Sequence, residues 1–319
     1  MKAFMHSADT RRVTVILNTA AGTGCAADGV SRLQQKFEAA GVQARVRCVQ
    51  GGEHLATEVR SAITAGVGTV VAAGGDGTVS AVAAGLVGSS ACLGVLPMGT
   101  LNHFAKDLGV PIDEDAAIRA IALGRTRRVD AGEVNGRLFI NNSSLGLYPD
   151  IVRERNKRQG RLGHGKWRAL IDASINAARR YPLLDVRIEL DGATLTRSTP
   201  FVFVGNNAYT MEGFEIGKRD ALDGGQLSLY LTQRMGRFGL LQLAFMALFQ
   251  RLQQARDFDA VAAREFTVHT RHRHLRVSTD GEVMMMRTPL HYRTRPGALT
   301  VMVPADDDGD AREDAGSSV

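Results

Sequence analysis

The chain has 319 residues and 44% apolar content, and this length favours two globular domains over one. It contains no run of about 18 apolar residues, so no membrane-spanning helix is expected. Residues 1–12 have no apolar core, which argues against a secretory signal. The three cysteines lack CxxC spacing and are expected to be reduced thiols: Cys25, Cys48 and Cys92.

The net charge of +6 is unevenly distributed along the chain. Residues 305–319 hold six carboxylates and one arginine, which leaves +11 on the rest, and we expect this acidic tail to be disordered. The basic remainder favours anionic partners such as nucleotides or anionic lipid headgroups. An aromatic content of 6% and the lack of RNA-binding aromatic signatures argue against nucleic acid.

The first ~125 residues alternate strand-like and helix-like segments. Strands are predicted at Val13–Leu17, Arg45–Val49, Thr69–Ala73 and Cys92–Leu96. Helices are predicted at Gly29–Ala39, Glu53–Ala65 and Val79–Leu86. This alternation is typical of an α/β domain with a mostly parallel sheet, in which ligands bind at the carboxyl ends of the strands.

The pattern changes after about Thr126, where short strand-like runs are separated by Gly, Asn and Asp. This spacing predicts an antiparallel β domain, interrupted by helical inserts at about Arg161–Arg180 and Phe238–Ala255. The runs are Arg127–Glu133, Arg137–Asn142, Asp185–Leu190, Thr199–Val204, Leu227–Leu231, Glu265–Val268, His274–Ser278, Leu290–Arg293 and Leu299–Val303.

A glycine-rich run, Gly74–Thr78, joins a predicted strand to a predicted helix. Glycines at such a turn let the backbone approach a ligand, and the N terminus of the helix favours an anion. Thr78 is suited to cap the helix or to bind a phosphate oxygen, and Asp76 indicates Mg²⁺ or a ribose hydroxyl nearby. The alternative is a structural turn, but five such residues in this context favour a phosphate site.

A second loop follows the next strand, in the sequence VLPMGTLNHFAKDLGVP of residues 95–111. Gly99 and Thr100 could face the same ligand as the first loop. For this loop alone, a Pro-Gly turn with Asn102 near the start of a short helix is an equally good interpretation. Two such loops at neighbouring strand ends favour the functional interpretation.

Together with two further segments, these loops resemble the motifs of diacylglycerol-kinase-type lipid kinases of the bacterial cytosolic kind. Asn18–Gly22 resembles the family's first turn, Gly74–Thr78 its GGDGT motif and Gly99–Ala105 its GTxNDFA motif. Thr279–Glu282 matches the late DGE motif, and Pro296–Pro304 resembles the closing strand. GGDGT also occurs in NAD kinases, whereas the whole set in this order is specific.

The resemblance implies an ATP-binding α/β domain at 1–126, to which 295–304 returns, and a β-sandwich lipid-substrate domain at 127–304, before the acidic tail at 305–319. It implies Mg²⁺ with the nucleotide, Glu282 as the catalytic base and Asp76 as a second catalytic and metal-binding residue. The residues that it implies for ATP binding are Asn18, Gly22, Gly74, Gly75, Asp76, Gly77, Thr78, Gly99, Thr100 and Asn102.

The chain departs from the family pattern at several positions. Thr19 stands where the family usually has proline, Thr23 where it often has lysine, and His103 where it has aspartate. Many members carry an Asp-Asp-Gly motif linked to a structural magnesium, whereas here Gly224 follows Asp223 and leaves Asp223 as the side-chain candidate. Asp76 and Glu282 both match the family pattern.

The favoured function is an ATP-dependent lipid kinase of phospholipid metabolism that acts on a free lipid hydroxyl, as in diacylglycerol. An NAD kinase and a non-catalytic nucleotide- or lipid-binding regulator are the alternatives. We expect a cytoplasmic protein with transient, peripheral membrane contact, and a homodimer is left open. Arg153–Arg180 suits anionic headgroups or is a solvated helix face, and Phe238–Phe249 is a buried or an interfacial helix.

Overall fold

The computed structural model describes residues 11–19, 27–146, 183–190, 192–209, 211–212, 215–216, 219, 221–232 and 258–305. The chain divides into two compact units. The first comprises Met1–Arg127 and Thr300–Val319, and the second comprises Arg128–Leu299. Gly22 and both predicted helical inserts lie outside the described residues, as does the acidic tail from residue 306 onward.

Strands and helices alternate in the first unit. They are β1 (Arg11–Asn18), α1 (Ala27–Ala39), β2 (Val42–Val49), α2 (Gly52–Thr64), β3 (Thr69–Gly74), α3 (Asp76–Leu86), β4 (Cys92–Pro97), α4 (His103–Asp107) and α5 (Glu114–Leu123). The strands form a parallel sheet in the order β2-β1-β3-β4, and β4 pairs in parallel with Thr300 and Val301. Every residue of β3 and β4 is buried, because helices cover both faces of a parallel sheet.

The second unit consists of antiparallel strands. They are β5 (Arg125–Val134, which starts in the first unit), β6 (Arg137–Phe139), β7 (Asn142–Gly146), β8 (Leu184–Leu190), β9 (Ala193–Thr199), β10 (Phe201–Asn206), β11 (Met211–Glu212), β12 (Glu215–Ile216), β13 (Leu227–Thr232), β14 (Phe258–Ala263), β15 (Glu265–Thr270), β16 (His274–Thr279), β17 (Glu282–Arg287) and β18 (Leu290–Val303). One sheet has the order β14-β13-β10-β7-β16-β17, and the other contains β18-β15-β8-β9 with β5 and β6.

Side chains from both sheets meet in one apolar core in this unit. Along β8, Leu184, Val186 and Ile188 point inward while the residues between them are exposed. Phe266 and Tyr292 stack with their ring centroids 5.0 Å apart. The Tyr292 hydroxyl lies 3.1 Å from the Ser143 Oγ, and burial raises the pKa of this phenol well above its ordinary value. The predicted α/β domain followed by a β-sandwich is therefore confirmed.

The cysteines correct one expectation. Cys92 is a reduced, buried thiol, as predicted, but Cys48 is disulfide-bonded. The absence of CxxC spacing carried no information on this bond, because a disulfide depends on the distance between two cysteines in the folded chain. Among the described residues, no helix has the length and apolar character needed to cross a membrane.

A buried aspartate, Asp130 on β5, organises the loop before β13. Its carboxylate accepts hydrogen bonds from the backbone N–H of Gly225 at 2.7 Å and of Gly297 at 2.7 Å. It also accepts one from the Asn207 amide at 3.2 Å, and its own N–H donates to the Leu222 carbonyl. The Asn206 amide also donates to the Asp130 carbonyl, so five hydrogen bonds converge on a residue that is 1% exposed.

We expect Asp130→Ala to lower the free energy of unfolding of the second unit by about 3 kcal/mol, because buried donors lose their acceptor. Asp130→Asn keeps one carbonyl oxygen and should cost less. Glu265→Ala removes an exposed carboxylate and should stay within about 0.5 kcal/mol of wild type. Urea denaturation followed by circular dichroism measures all three, and equal effects of Asp130→Ala and Glu265→Ala would contradict the assignment.

Candidate functional site

Three neighbouring strands of the first unit end at the same edge of the sheet. Leu17 on β1 is in register with Ala73 on β3, and Gly74 is in register with Pro97 on β4. The segments that leave β1, β3 and β4 therefore start side by side. This is the edge at which parallel sheets bind ligands.

The first glycine-rich segment is the start of a helix rather than a free loop. Gly75 is the N-cap of α3, and its carbonyl accepts the N–H groups of Thr78 and Val79. The helix thus begins at Asp76, three residues before the predicted start at Val79, and the prediction that Thr78 caps it is wrong. The N terminus of this 11-residue helix lies at the edge of the sheet, where its dipole favours an anion.

Thr78 has a different role from the predicted cap. Its side chain is buried, and its hydroxyl accepts a hydrogen bond of 2.8 Å from the Asn18 amide at the end of β1. This side-chain bond ties the first turn of α3 to the end of β1. Asn18 and Thr78, 60 residues apart in the sequence, are thereby brought together.

Asp76 joins the two predicted loops. One carboxylate oxygen accepts the N–H of Asn102 at 2.9 Å, and the other accepts the N–H of His103 at 2.7 Å. These donors are at the start of α4, where an anionic side chain is favourable. The residue that indicated magnesium or ribose therefore also has a structural role that sequence reasoning did not foresee.

The second loop is closed on itself by Asn102. Its Oδ1 accepts the N–H of Gly99 at 3.0 Å, and its Nδ2 donates to the carbonyl of Gly99 at 2.9 Å. Asn102 is 5% exposed and has a left-handed backbone with φ of 51°. Thr100, between these two residues, is exposed and is the hydroxyl in this loop that solvent or a ligand can reach.

Glycine is required where the two loops touch. A Cβ atom built on Gly99 would lie 2.6 Å from the Cα of Gly75, and one built on Gly75 would lie 3.4 Å from the Cα of Gly99. Any side chain at position 99 would therefore push the loops apart. The structure thus brings together the predicted site residues of this unit that it describes, namely Asn18, Gly74, Gly75, Asp76, Gly77, Thr78, Gly99, Thr100 and Asn102.

The late motif forms a two-residue hairpin turn between β16 and β17 in the second unit. Asp280 and Gly281 have φ values of 48° and 85°, as in the tight turns that match the twist of two antiparallel strands. The Asp280 carboxylate accepts the backbone N–H groups of Ile140 and Asn141, each at 2.8 Å. It therefore anchors the turn to the segment before β7. The residue after the turn, Glu282, is the first residue of β17.

Glu282 occupies that first position, and its side chain is 54% exposed. Its Oε2 accepts a hydrogen bond of 2.5 Å from the Arg137 guanidinium on β6, which makes an ion pair. Arg137 is a site residue that sequence reasoning missed. No local signal could have identified it, because the two partners are 145 residues apart.

The predicted metal ligand Asp223 lies in the loop that Asp130 holds. Asp223 is exposed, and the next residue, Gly224, has its Cβ position only 2.8 Å from the Asn207 Oδ1. A second carboxylate at position 224 would collide with that amide. Among the described residues, no group of three or more His, Cys, Asp or Glu side chains is arranged to hold a metal ion. Asp223 as a ligand of a structural magnesium therefore stays a prediction.

Comparisons with known proteins show what this chain is similar to. The diacylglycerol kinase catalytic domain matches residues 12–134, and the YegS C-terminal NAD kinase beta sandwich-like domain matches residues 152–303. The chain is 28% identical over 249 residues to a diacylglycerol kinase of Bacillus subtilis (strain 168), covering 75% of this chain and 79% of that protein. A diacylglycerol kinase of Staphylococcus carnosus (strain TM300) is 28% identical over 227 residues, covering 70% and 73%.

A solved structure supports the same fold. The crystal structure of a diacylglycerol kinase from Bacillus anthracis str. Sterne aligns with a TM-score of 0.66 at 20% identity, covering 92% of this chain and 97% of that one. The fold class of this chain is therefore an α/β domain with a glycine-rich strand edge, followed by a β-sandwich. The two domain models and the diacylglycerol kinase relatives confirm the resemblance to this family that was noted in the motifs.

We expect Asp76→Ala to release the second loop, because the N–H groups of Asn102 and His103 lose their acceptor. The cost to the first unit should be about 2 kcal/mol, and hydrogen exchange at these two amides should accelerate relative to the rest of the unit. Glu38→Ala, an exposed carboxylate on α1, is the matched control and should leave both unchanged. Unaltered exchange at these amides in Asp76→Ala would rule out the bridging role.

Proposed function

We propose that this protein is an ATP-dependent lipid kinase, which transfers the γ-phosphoryl group of ATP to a free hydroxyl of a lipid such as diacylglycerol. The match to the diacylglycerol kinase catalytic domain and the relatives named diacylglycerol kinase support a kinase. The observation that carries the ATP part of the proposal is the bridge from Asp76 to the start of α4. It holds two glycine-containing segments and a helix N terminus at one strand edge, an arrangement suited to a polyphosphate.

In this proposal the nucleotide contacts come from backbone and small side chains. The N–H groups of Asp76 and Gly77 at the start of α3 would donate to phosphate oxygens, and the exposed Thr100 hydroxyl would add a further donor. Glycine at positions 75 and 99 keeps this surface free of side chains. Asn18 would act through Thr78, whose hydroxyl it holds. Gly22 is proposed from the family resemblance alone.

We propose that Mg²⁺ accompanies the nucleotide, where it would neutralise charge on the transferring phosphoryl group. Asp76 fits such an ion, because each carboxylate oxygen accepts one backbone N–H and keeps another lone pair. One or two carboxylates together with phosphate oxygens suffice for magnesium in nucleotide sites. This role is compatible with the bridging role, since the two use different lone pairs.

We propose Glu282 as the general base. As the lipid oxygen forms its bond to the γ-phosphorus, the bond from that phosphorus to the β–γ bridging oxygen breaks and ADP leaves. The hydroxyl proton passes to the Glu282 carboxylate, which is exposed and accessible to an alcohol. Arg137 is a positioning residue in this scheme, because its ion pair restricts the Glu282 side chain.

A lipid substrate brings the enzyme to a membrane, and we propose that this contact is peripheral and transient in a cytoplasmic protein. The net charge of +6 favours anionic headgroups. The test of the overall function is phosphate transfer from labelled ATP to a panel of lipids that contains diacylglycerol, with NAD as a separate acceptor. Labelling of diacylglycerol or another lipid alcohol is expected. Labelling of NAD and of no lipid would overturn the proposal.

We expect Glu282→Gln to lower kcat by about 100- to 10,000-fold, because the amide cannot accept the hydroxyl proton. The KM for ATP should stay close to wild type, since the substitution leaves the first unit unchanged. Glu265→Gln, an exposed glutamate on β15, is the control and should keep full turnover. Steady-state kinetics on micellar diacylglycerol measures both, and wild-type turnover by Glu282→Gln would remove the base assignment.

A further inference from the structure

The hairpin of β16 and β17 forms one end of its sheet. In the order β14-β13-β10-β7-β16-β17, β17 is the last strand and pairs only with β16 among the described strands. Successive side chains of a strand alternate between the two faces of a sheet. The register of this hairpin therefore divides its side chains into an inner and an outer row.

The inner row is part of the apolar core. Leu275 lies opposite Met286 and Val277 opposite Met284, and all four belong to the core or pack against it. The outer row has a different composition. It pairs His274 with Arg287 and Arg276 with Met285, and all of these are exposed.

The outer row is extended by the segment that leads into β16. Arg271, His272 and Arg273 are exposed there, and the Arg273 carbonyl accepts the N–H of Thr288, which follows β17. We call the exposed side chains of Arg273, His274, Arg276, Met285 and Arg287 the basic hairpin face. It holds three arginines and a histidine and contains no carboxylate.

Two described carboxylates near this face form ion pairs with arginines outside it. Glu282, at the start of β17, pairs with Arg137, and Asp185 lies 3.6 Å from the Arg271 guanidinium. Among the residues that the structure describes, no ion pair involves Arg273 or Arg287, so these two exposed arginines carry the positive charge of the face. Such a surface attracts a polyanion or an anionic membrane.

Met285 distinguishes between these partners. It is a large apolar side chain that is 60% exposed, directly opposite Arg276. An apolar side chain among arginines is suited to the boundary of headgroups and acyl chains, where arginine stems also find an apolar surface. Recognition of nucleic acid would instead favour aromatic side chains for stacking, and this face contains none.

We propose that the basic hairpin face docks on an anionic lipid bilayer, with the arginines at the headgroups and Met285 inserted between them. This inference rests on the proposed function, because it names the surface through which a lipid kinase would meet its substrate. Glu282 is three residues before Met285 on β17, so the two side chains lie on opposite faces of the strand, and docking leaves the proposed base uncovered.

The test is sedimentation of the full chain with phosphatidylcholine vesicles, with and without phosphatidylglycerol, in the absence of ATP. Binding is expected only with phosphatidylglycerol, and added salt should weaken it. Arg273→Gln with Arg287→Gln should lower the partition coefficient about 25-fold, or about fivefold for each arginine. Met285→Ser should weaken binding at constant charge.

Two control variants separate the effect of the position of the arginines from the effect of the net charge. Arg45→Gln with Arg60→Gln removes the same charge from exposed positions on β2 and α2 and should change the partition coefficient less than about twofold. Arg273→Lys with Arg287→Lys keeps the charge and should keep the binding. Circular dichroism establishes that each variant is folded. If the variant with Arg273→Gln and Arg287→Gln does not fold, Met285→Ser and the variant with Arg273→Lys and Arg287→Lys test whether the face binds the vesicles.

Equal partition coefficients for the hairpin and control glutamine variants would overturn the inference. Equal binding of the wild-type protein to vesicles with and without phosphatidylglycerol would overturn it as well. Hairpin-dependent binding of duplex DNA or single-stranded RNA that exceeds vesicle binding at equal salt would assign the face to nucleic acid instead. Phosphorylation of diacylglycerol in neutral micelles tests the proposed kinase function separately from the proposed docking surface. Hairpin-dependent vesicle binding without lipid phosphorylation would contradict the proposed kinase function and support the docking surface. Lipid phosphorylation without hairpin-dependent vesicle binding would support the kinase function and contradict the docking surface.

Discussion

The candidate nucleotide site depends on one carboxylate. Asp76 accepts the N–H groups at the start of α4 while it occupies the first turn of α3, so it joins segments that leave two different strands. Gly75 and Gly99 come close together beside this bridge, because neither residue has a side chain that would hold the two segments apart. Without it, the glycine-rich edge would consist of two separate turns, and the surface suited to a polyphosphate would have no defined geometry.

The same physical device recurs in the second unit. Asp130 holds the loop before β13, and Asp280 holds the hairpin turn before β17, each by accepting backbone N–H groups. A carboxylate can accept several such bonds at once, and charge-assisted bonds are stronger than neutral ones. Glu282 differs from these residues, because it is exposed and its partner is a side chain. That contrast supports its assignment to chemistry while the aspartates position the chain.

Local pattern was sufficient for much of the fold and for part of the site. The strand predicted at Thr69–Ala73 is observed at Thr69–Gly74, because a β-branched apolar run ended by glycine has few alternatives. The start of α3 was missed by three residues, since glycines at positions 75 and 77 look like loop residues although Gly75 is the cap. Helix α5 was overlooked, although Asp113 caps it and acidic residues fill its first turn, which is a signal that sequence can carry.

The sequence by itself determined the alternation of elements, the family motifs and the identity of the residues at the strand ends, because periodicity and glycine placement are local properties. Only the tertiary structure decided what those residues do. The pairing of Asn18 with Thr78, of Asp76 with Asn102 and of Arg137 with Glu282 joins positions 26 to 145 residues apart. The physical reason is that a hydrogen bond depends on the distance between atoms in space, which packing of the sheets sets and which no local pattern encodes.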